Sequence, residues 1–148
     1  MRFPKLVRTQ TEGVFDMPQI NVLATIAAAV AAFVLGGLWY SPALFGRAWQ
    51  REVGLSDEEL KRGNMTRIFG TALLLSLVAA FVFALFLGPR PSMPLGLGAG
   101  FSAGLCWVAS SFGINYLFAR RSFRLFLIDG GYHTLQFTLI GVILALWH

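Results

Sequence analysis

Four long apolar segments, separated by polar or basic stretches, dominate the hydropathy pattern of this 148-residue chain. They cover about residues 20–40, 67–87, 95–118 and 125–147. A helix rises about 1.5 Å per residue, so each segment is long enough to cross a hydrocarbon core of about 30 Å. The pattern predicts an all-α polytopic membrane protein, a four-transmembrane-helix bundle forming one domain over residues 20–148.

The fourth segment carries polar residues where a membrane helix usually has none. Asp129, Tyr132, His133 and Gln136 fall on one stripe, roughly 100° wide, of a helical wheel. An ionisable group in the bilayer costs about 2.5–3.5 kcal/mol and usually faces the bundle interior or a wet cavity. Two interpretations stay open. In one, Asp129 and His133 bind a cation, relay a proton or hold a polar solute. In the other, Asp129 lies near the headgroups, close to Arg120, Arg121 and Arg124, and His133 hydrogen-bonds a neighbouring helix.

The first segment has a small and polar face that suits close contact with another helix. The members of this face are Asn21, Thr25, Ala28, Ala32, Gly36 and Trp39. The residues from Trp39 to Trp49 then read WYSPALFGRAW, and Ser41-Pro42 ends the helix. The aromatic and basic side chains of this stretch predict an interfacial segment, which is either a membrane-surface anchor or a lid over a central cavity.

The second and third segments differ in composition. The second is almost wholly apolar and is predicted to be the most peripheral helix, joined by a tight turn to the third as its antiparallel neighbour. In the third, Gly96, Gly100 and Gly104 form a small-xxx-small pattern typical of helix packing. Trp107, Ser111 and Asn115 continue the same stripe on a regular helical wheel. We expect Asn115 either to hydrogen-bond another helix or to share a polar site with Asp129 and His133.

The loop sequences predict a short helix outside the membrane and an orientation of the bundle across it. Between residues 54 and 66, Ser56 followed by Glu59 is a capping-box pattern. The first and third loops carry eight Lys and Arg residues, against four on the other side of the membrane. This count predicts that both termini lie outside, in what we expect to be a bacterial inner membrane. Residues 1–19 form a polar tail, and Met17 is an alternative start for the chain.

Composition narrows the classes of function. The chain is 56% hydrophobic and only 13% charged, with mean hydropathy +0.66, which is too apolar for a soluble domain of this size. The net charge of +5 reflects basic residues at segment ends and does not indicate a nucleic-acid partner. Cys106, the single cysteine, predicts neither an internal disulfide nor a cysteine metal cluster. No catalytic motif, metal-ligand set or cofactor motif is recognisable, so an enzyme is not favoured.

The arrangement of motifs resembles a known family. The stretch INVLATIAAAVAAFVLGGLWYSPALFGRAW and the final IDGGYHTLQFTLIGVILALW are similar to domain-of-unknown-function family 1761. The resemblance covers roughly residues 20–147, and its most specific parts are the Trp39-Tyr40-Ser41-Pro42 core and Asp129 to His133. It implies a small four-helix membrane protein and supplies no established activity.

Three hypotheses about function follow. The first is a small carrier or channel that works as a dimer in the lipid bilayer, with Asp129, His133, Gln136, Asn115, Tyr132 and Trp39 as candidates for binding an unidentified ion or solute. The second is a structural or partner-binding subunit that packs through Gly36, Gly96, Gly100 and Gly104. The third, a membrane-embedded enzyme, has the weakest support, because the chain has only two histidines and no paired ligands.

Overall fold

Ser and Asn residues set the start of most helices. The side chains of Asn21, Ser56, Asn64, Ser92 and Ser122 each accept a hydrogen bond from the backbone N–H three residues further on, which satisfies one of the free N–H groups of a first helical turn. In the predicted loop helix, Glu59 also reaches back to the backbone N–H of Ser56, so the predicted capping box is present. Local sequence therefore fixes where these helices begin.

The computed structural model describes residues 19–148, so the predicted tail and the alternative start at Met17 lie outside the described residues. The helices are α1 Val22–Trp39, α2 Gly46–Val53, α3 Asp57–Arg62, α4 Met65–Leu87, α5 Met93–Ser102, α6 Ser110–Phe118 and α7 Phe123–Leu146. A π-helical segment, Ala103–Ala109, joins α5 to α6. We call the continuous helix Met93–Phe118 the third span.

Four helices are long and apolar enough to cross a membrane: α1, α4, the third span and α7. Each begins and ends within two residues of the segment read from the hydropathy pattern. The described part of the chain contains no β-strand. The predicted fold class, a four-helix membrane bundle, is confirmed.

Helix α7 lies at the centre of the bundle. It packs along α1 on one side and along the third span on another, and α4 packs mainly against α1. The core is made of small residues of α1 and α4 with larger side chains of α4 and α7. Its members include Ala24, Ala28, Ala29, Ala32, Ala80, Phe83, Ala84, Ile140 and Leu144. Small residues let neighbouring helix backbones approach closely, which is how membrane helices gain contact without a hydrophobic driving force.

The prediction that the second span packs as a neighbour of the third span is wrong. Helix α4 touches the third span little, although only a short turn separates the two helices. It packs instead on the alanine face of α1, and Phe69 meets Phe33 edge to face with ring centroids 6.2 Å apart. Ala80 and Ala84 form the contact face of α4. The uniform apolarity of the α4 sequence conceals that face, because alanine contrasts little with leucine and valine in a hydropathy pattern.

The π-helical segment shifts the register of the third span. Gly96, Gly100, Ala103 and Gly104 are buried before or within it, and the next buried residue is Ala109, five positions after Gly104. A π-helical turn holds one more residue than an α-helical turn, so the inner face moves forward by one position. The prediction that Trp107, Ser111 and Asn115 continue the glycine face is therefore wrong. Trp107 is 63% exposed and Asn115 is also exposed.

Candidate functional site around Asp129

Asp129 lies two turns inside α7 and is 5% exposed. Its two carboxyl oxygens accept hydrogen bonds from two different parts of the bundle. The Tyr40 hydroxyl, at the end of α1, donates to Oδ1 at 2.8 Å. The Tyr116 hydroxyl, on α6, donates to Oδ2 at 2.5 Å. One carboxyl group thus joins three of the four membrane spans.

Two further aromatic residues stabilise this arrangement. The Trp39 indole N–H donates to the backbone carbonyl of Ile128 at 3.0 Å. The Tyr132 hydroxyl lies 3.4 Å from the carbonyl oxygen of Ala32, and its ring meets that of Tyr40 at 5.3 Å. Buried Tyr and Trp side chains need a partner for their polar end, and here those partners belong to a neighbouring helix.

The interfacial segment, Trp39 to Trp49, packs beside the site. Phe45 lies against the Trp39 ring at 4.5 Å, and Trp49 meets the Tyr40 ring at 5.7 Å. The turn that directs the chain back requires glycine at position 46, because a Cβ there would clash with backbone atoms of Tyr40 and Ser41. This segment therefore holds Tyr40 in place and covers the end of the bundle.

Helix α2 fastens the interfacial segment to the start of α7. Glu52 accepts a hydrogen bond from the Ser122 hydroxyl at 2.5 Å and lies 3.9 Å from the Arg124 guanidinium. Arg124 thus pairs with Glu52, and within residues 19–148 no basic side chain forms a salt bridge with Asp129. The alternative in which Asp129 lies near the headgroups, close to Arg120, Arg121 and Arg124, stays a prediction.

His133 and Gln136 form a second polar group one turn further along α7. His133 Nδ1 and Gln136 Oε1 are 2.9 Å apart, and Gln136 is 7% exposed. The His133 ring stacks on Phe112 of α6 at 4.8 Å. Asp129 and His133 share a face of α7 as expected, but each has its own hydrogen-bond partners.

Asn115 lies apart from this cluster. Its side-chain N–H donates to the Ser111 carbonyl oxygen of the same helix at 3.0 Å. Its neighbour Tyr116 takes the place beside Asp129, because the π-helical segment advances the inner face by one residue. As a candidate for ligand binding, Asn115 stays a prediction without a structural link to Asp129.

The glycines predicted for helix packing lie at contacts within the chain. A Cβ on Gly96 or Gly100 would clash with backbone atoms of Gly141 or Phe137, and a Cβ on Gly104 would lie 2.6 Å from the carbonyl oxygen of His133. The third span therefore meets α7 backbone to backbone. The glycine ridge is covered by α7 and is not a free surface for a partner helix.

Tyr40 and Tyr116 are the site residues that sequence reasoning missed. Tyr40 was assigned to the membrane interface, and Tyr116 follows the polar residue that a regular wheel selects. A usable signal was present: two tyrosines near the ends of apolar spans need hydrogen-bond partners if they are buried, and the fourth span offered a carboxyl group.

The chemistry available at this site is that of a single carboxyl group among aromatic rings. Within the described residues no group of three His, Cys, Asp or Glu side chains could hold a metal ion. Carboxyl oxygens bind protons and cations, and the faces of Trp and Tyr rings attract cations within about 6 Å. Since Asp129 is nearly inaccessible, a ligand reaches it only if a covering tyrosine moves.

Comparison with known proteins identifies the family of the chain. No curated protein and no solved structure matches it. The family described as "Protein of unknown function (DUF1761)" matches residues 23–145, a range that includes Trp39, Tyr40, Tyr116 and Asp129. The match covers most of the chain and agrees with the resemblance seen in its motifs, and the chain therefore belongs to the DUF1761 family.

Proposed function

We propose that this protein is a small membrane carrier in which Asp129 binds a proton or a cationic solute. The observation that carries the proposal is a carboxyl group that is 5% exposed, sits within a membrane helix and has two tyrosine hydroxyls as partners. If this residue served only to hold three helices together, an apolar side chain of similar volume would do so without the cost of burying a charge. A carboxyl group at this depth favours a role that needs its charge or its proton.

The surrounding side chains fit a cationic ligand. The Tyr40 side chain that bonds the carboxyl group packs against the rings of Trp49 and Tyr132, and Trp39 bonds the adjacent Ile128 carbonyl. A ligand cation gains both from the carboxylate and from these ring faces, and it would replace the tyrosine hydroxyls as partners. A proton would satisfy the same carboxyl group in the absence of a cation, so binding of the two ligands would be coupled.

The interfacial segment supplies a means of access. Tyr40 belongs to the segment that carries Phe45 and Trp49, and the polar contacts of α2 with the start of α7 are those of Glu52 with Ser122 and Arg124, near the surface of the bundle. Displacement of this segment would withdraw the Tyr40 hydroxyl and uncover Oδ1. We therefore assign the segment from Trp39 to Trp49 the role of a lid over the site.

Flux in proteoliposomes tests the proposal. Vesicles loaded with a pH-sensitive dye are given a panel of alkali cations and protonated amines, for wild type, Asp129→Asn and the control Asp57→Asn, which changes an exposed aspartate of α3. We expect cation-dependent proton movement in wild type and Asp57→Asn and its loss in folded Asp129→Asn. Equal fluxes in all three proteins, or no flux with any member of the panel, would contradict the proposal.

A dimer is the second part of the proposal. Gly98, Ser102, Cys106, Ser110 and Asn115 are all exposed on the third span, at intervals of four or five residues. Small and polar side chains at such intervals gain little from lipid and favour contact with another helix. A chain of this size is too short to enclose a large pathway alone. Two copies that meet through this face would enclose a pathway between their four-helix bundles.

Cys106 makes the dimer testable without introducing a new residue. It lies at the middle of Met93–Phe118, so two third spans crossing at their midpoints bring the two Cys106 residues together whether they run parallel or antiparallel. We expect an oxidant to cross-link the protein in native membranes, and Gly98→Leu to reduce that cross-linking while the monomer stays folded. No cross-link in wild type, or equal cross-linking in Gly98→Leu, would contradict this interface.

A further inference from the structure

A cleft lies between α6 and the start of α7, and it is lined in part by Tyr116, the partner of Asp129. Its volume is about 280 Å³, and its walls include Tyr116, Leu117, Arg121, Phe123 and Phe126. Leu117 and Phe123 are 79% and 70% exposed, so the cleft opens outward at the surface of the bundle. The Phe123 and Phe126 rings lie 5.6 Å apart and form one apolar wall.

The charge at the mouth of this cleft is positive. Arg121 is part of the lining. Arg120 lies beside it in the same turn, and Arg124 is the second residue of α7. Among residues 19–148 no acidic residue lines the cleft, and Glu52, which approaches this region from α2, is engaged by Ser122 and Arg124. An exposed arginine above an apolar slot at the end of a membrane span matches an anionic headgroup with an acyl chain below it.

We propose that this cleft binds one anionic phospholipid. The phosphate of the headgroup contacts Arg121, and the upper part of an acyl chain lies against Leu117, Phe123 and Phe126. Charge complementarity at the mouth and the apolar walls together favour this occupant over a zwitterionic lipid. The lipid would also touch Tyr116, whose hydroxyl donates to Asp129. The inference does not depend on transport, since binding is measured without flux.

Native mass spectrometry of the full chain in detergent tests the site. Phosphatidylglycerol competes for binding with phosphatidylcholine that has the same acyl chains. The proteins compared are wild type, Arg121→Gln and the control Arg62→Gln, which removes an exposed arginine of α3. We expect phosphatidylglycerol to be retained in preference by wild type and Arg62→Gln. Arg121→Gln should bind it about fivefold more weakly, the effect of about one charge near a membrane surface.

Three outcomes would overturn the proposal. They are equal retention of the two lipids by wild type, an unchanged preference in Arg121→Gln, and an equal loss in Arg62→Gln. A parallel arm adds inorganic phosphate at millimolar concentration. Displacement of the lipid by phosphate alone would assign the site to a free anion and would also contradict a lipid site, whereas retention of the lipid supports it.

Discussion

The two halves of α7 are held in the bundle by different physical interactions. From Phe137 to Ala145 the helix meets α5 through backbone contacts at Gly96 and Gly100, with no space for an added carbon atom. From Ile128 to Gln136 one such backbone contact remains, at Gly104, and hydrogen bonds of Tyr40, Tyr116 and Trp39 are added to it. Close packing gives stability with little adjustability, whereas a hydrogen-bonded carboxyl group can exchange partners. We therefore expect the glycine half to contribute most to stability, and our proposal places ligand binding in the polar half.

Replacement of a packed glycine should have the largest effect. In Gly100→Leu the new side chain would meet backbone atoms of Phe137 and Thr138, which cannot move without displacing α7. We expect a loss of at least about 3 kcal/mol of unfolding free energy, at the upper end of overpacking effects, measured by thermal unfolding of the purified protein in detergent. Gly70→Leu is the matched control, since a Cβ at Gly70 meets nothing within 4 Å. Equal stability of the two variants would show that backbone contact does not hold this half of α7.

Removal of the tyrosine hydroxyls should have an intermediate effect. Tyr40→Phe and Tyr116→Phe each delete one hydrogen bond to Asp129, and such bonds to charged groups contribute about 1.5–3 kcal/mol. Because the two residues share one acceptor, a double-mutant cycle of unfolding free energies should be non-additive. Tyr132→Phe, whose hydroxyl makes a longer contact with Ala32, should cost less. Strict additivity, or a larger loss in Tyr132→Phe, would argue against a cluster centred on Asp129.

The neighbouring glycines Gly36 and Gly37 provide a finer comparison. A Cβ on Gly36 would lie 2.9 Å from the Tyr132 hydroxyl, so Gly36→Ala should displace that side chain and cost about 1 kcal/mol. A Cβ on Gly37 meets nothing within 4 Å, and Gly37→Ala should stabilise the helix by about 0.5–1 kcal/mol through its higher helix propensity. Opposite signs in thermal unfolding are the expected result. Equal shifts in both variants would remove Tyr132 from the packed part of the site.

The smallest effect is expected outside the membrane, in α3. Hydrogen bonds from the Ser56 backbone N–H and hydroxyl lower the pKa of Glu59 below its ordinary value of 4.5. A lowered pKa in the folded state means that the capping box stabilises α3 above that ordinary value and loses this effect as the pH falls through the lowered pKa. Amide chemical shifts of residues 56–60 should follow this titration in wild type and not in Ser56→Ala. A titration unchanged by that substitution would show that Ser56 is not its cause.

The sequence was sufficient for the four spans because each is apolar over a length that matches the bilayer. It also located a small and polar face of α1, on which Thr25, Ala28 and Ala32 are buried and Gly36 and Trp39 contact α7. Asp129 was found for a simpler reason: a carboxyl group within an apolar span has few structural explanations. These predictions rest on contrast between a residue and its surroundings along the chain.

The remaining features depend on contacts that such contrast does not reveal. Nothing in the letters from Ala103 to Ala109 indicates a π-helical turn, so a regular wheel selected Asn115 where the structure has Tyr116. The contact of α4 with α1 involves alanines in both helices, which hydropathy does not separate from lipid-facing residues. Pairing of Tyr40 with Asp129 joins positions 89 residues apart, and only the packed bundle brings them together.

The π-helical segment divides the third span into two parts whose inward-facing positions are displaced by one residue, and we expect sensitivity to mutation to follow those positions. Systematic substitution along the helix would find intolerant positions at Gly96, Gly100 and Gly104 in one periodic series, and at Ala109, Gly113 and Tyr116 in a second series displaced by one residue. Deletion of a single residue between them would merge the two series into one regular α-helical series and leave Tyr116 facing α7. By absorbing one extra residue, the π-helical turn thus decides that Tyr116, and not Asn115, meets Asp129.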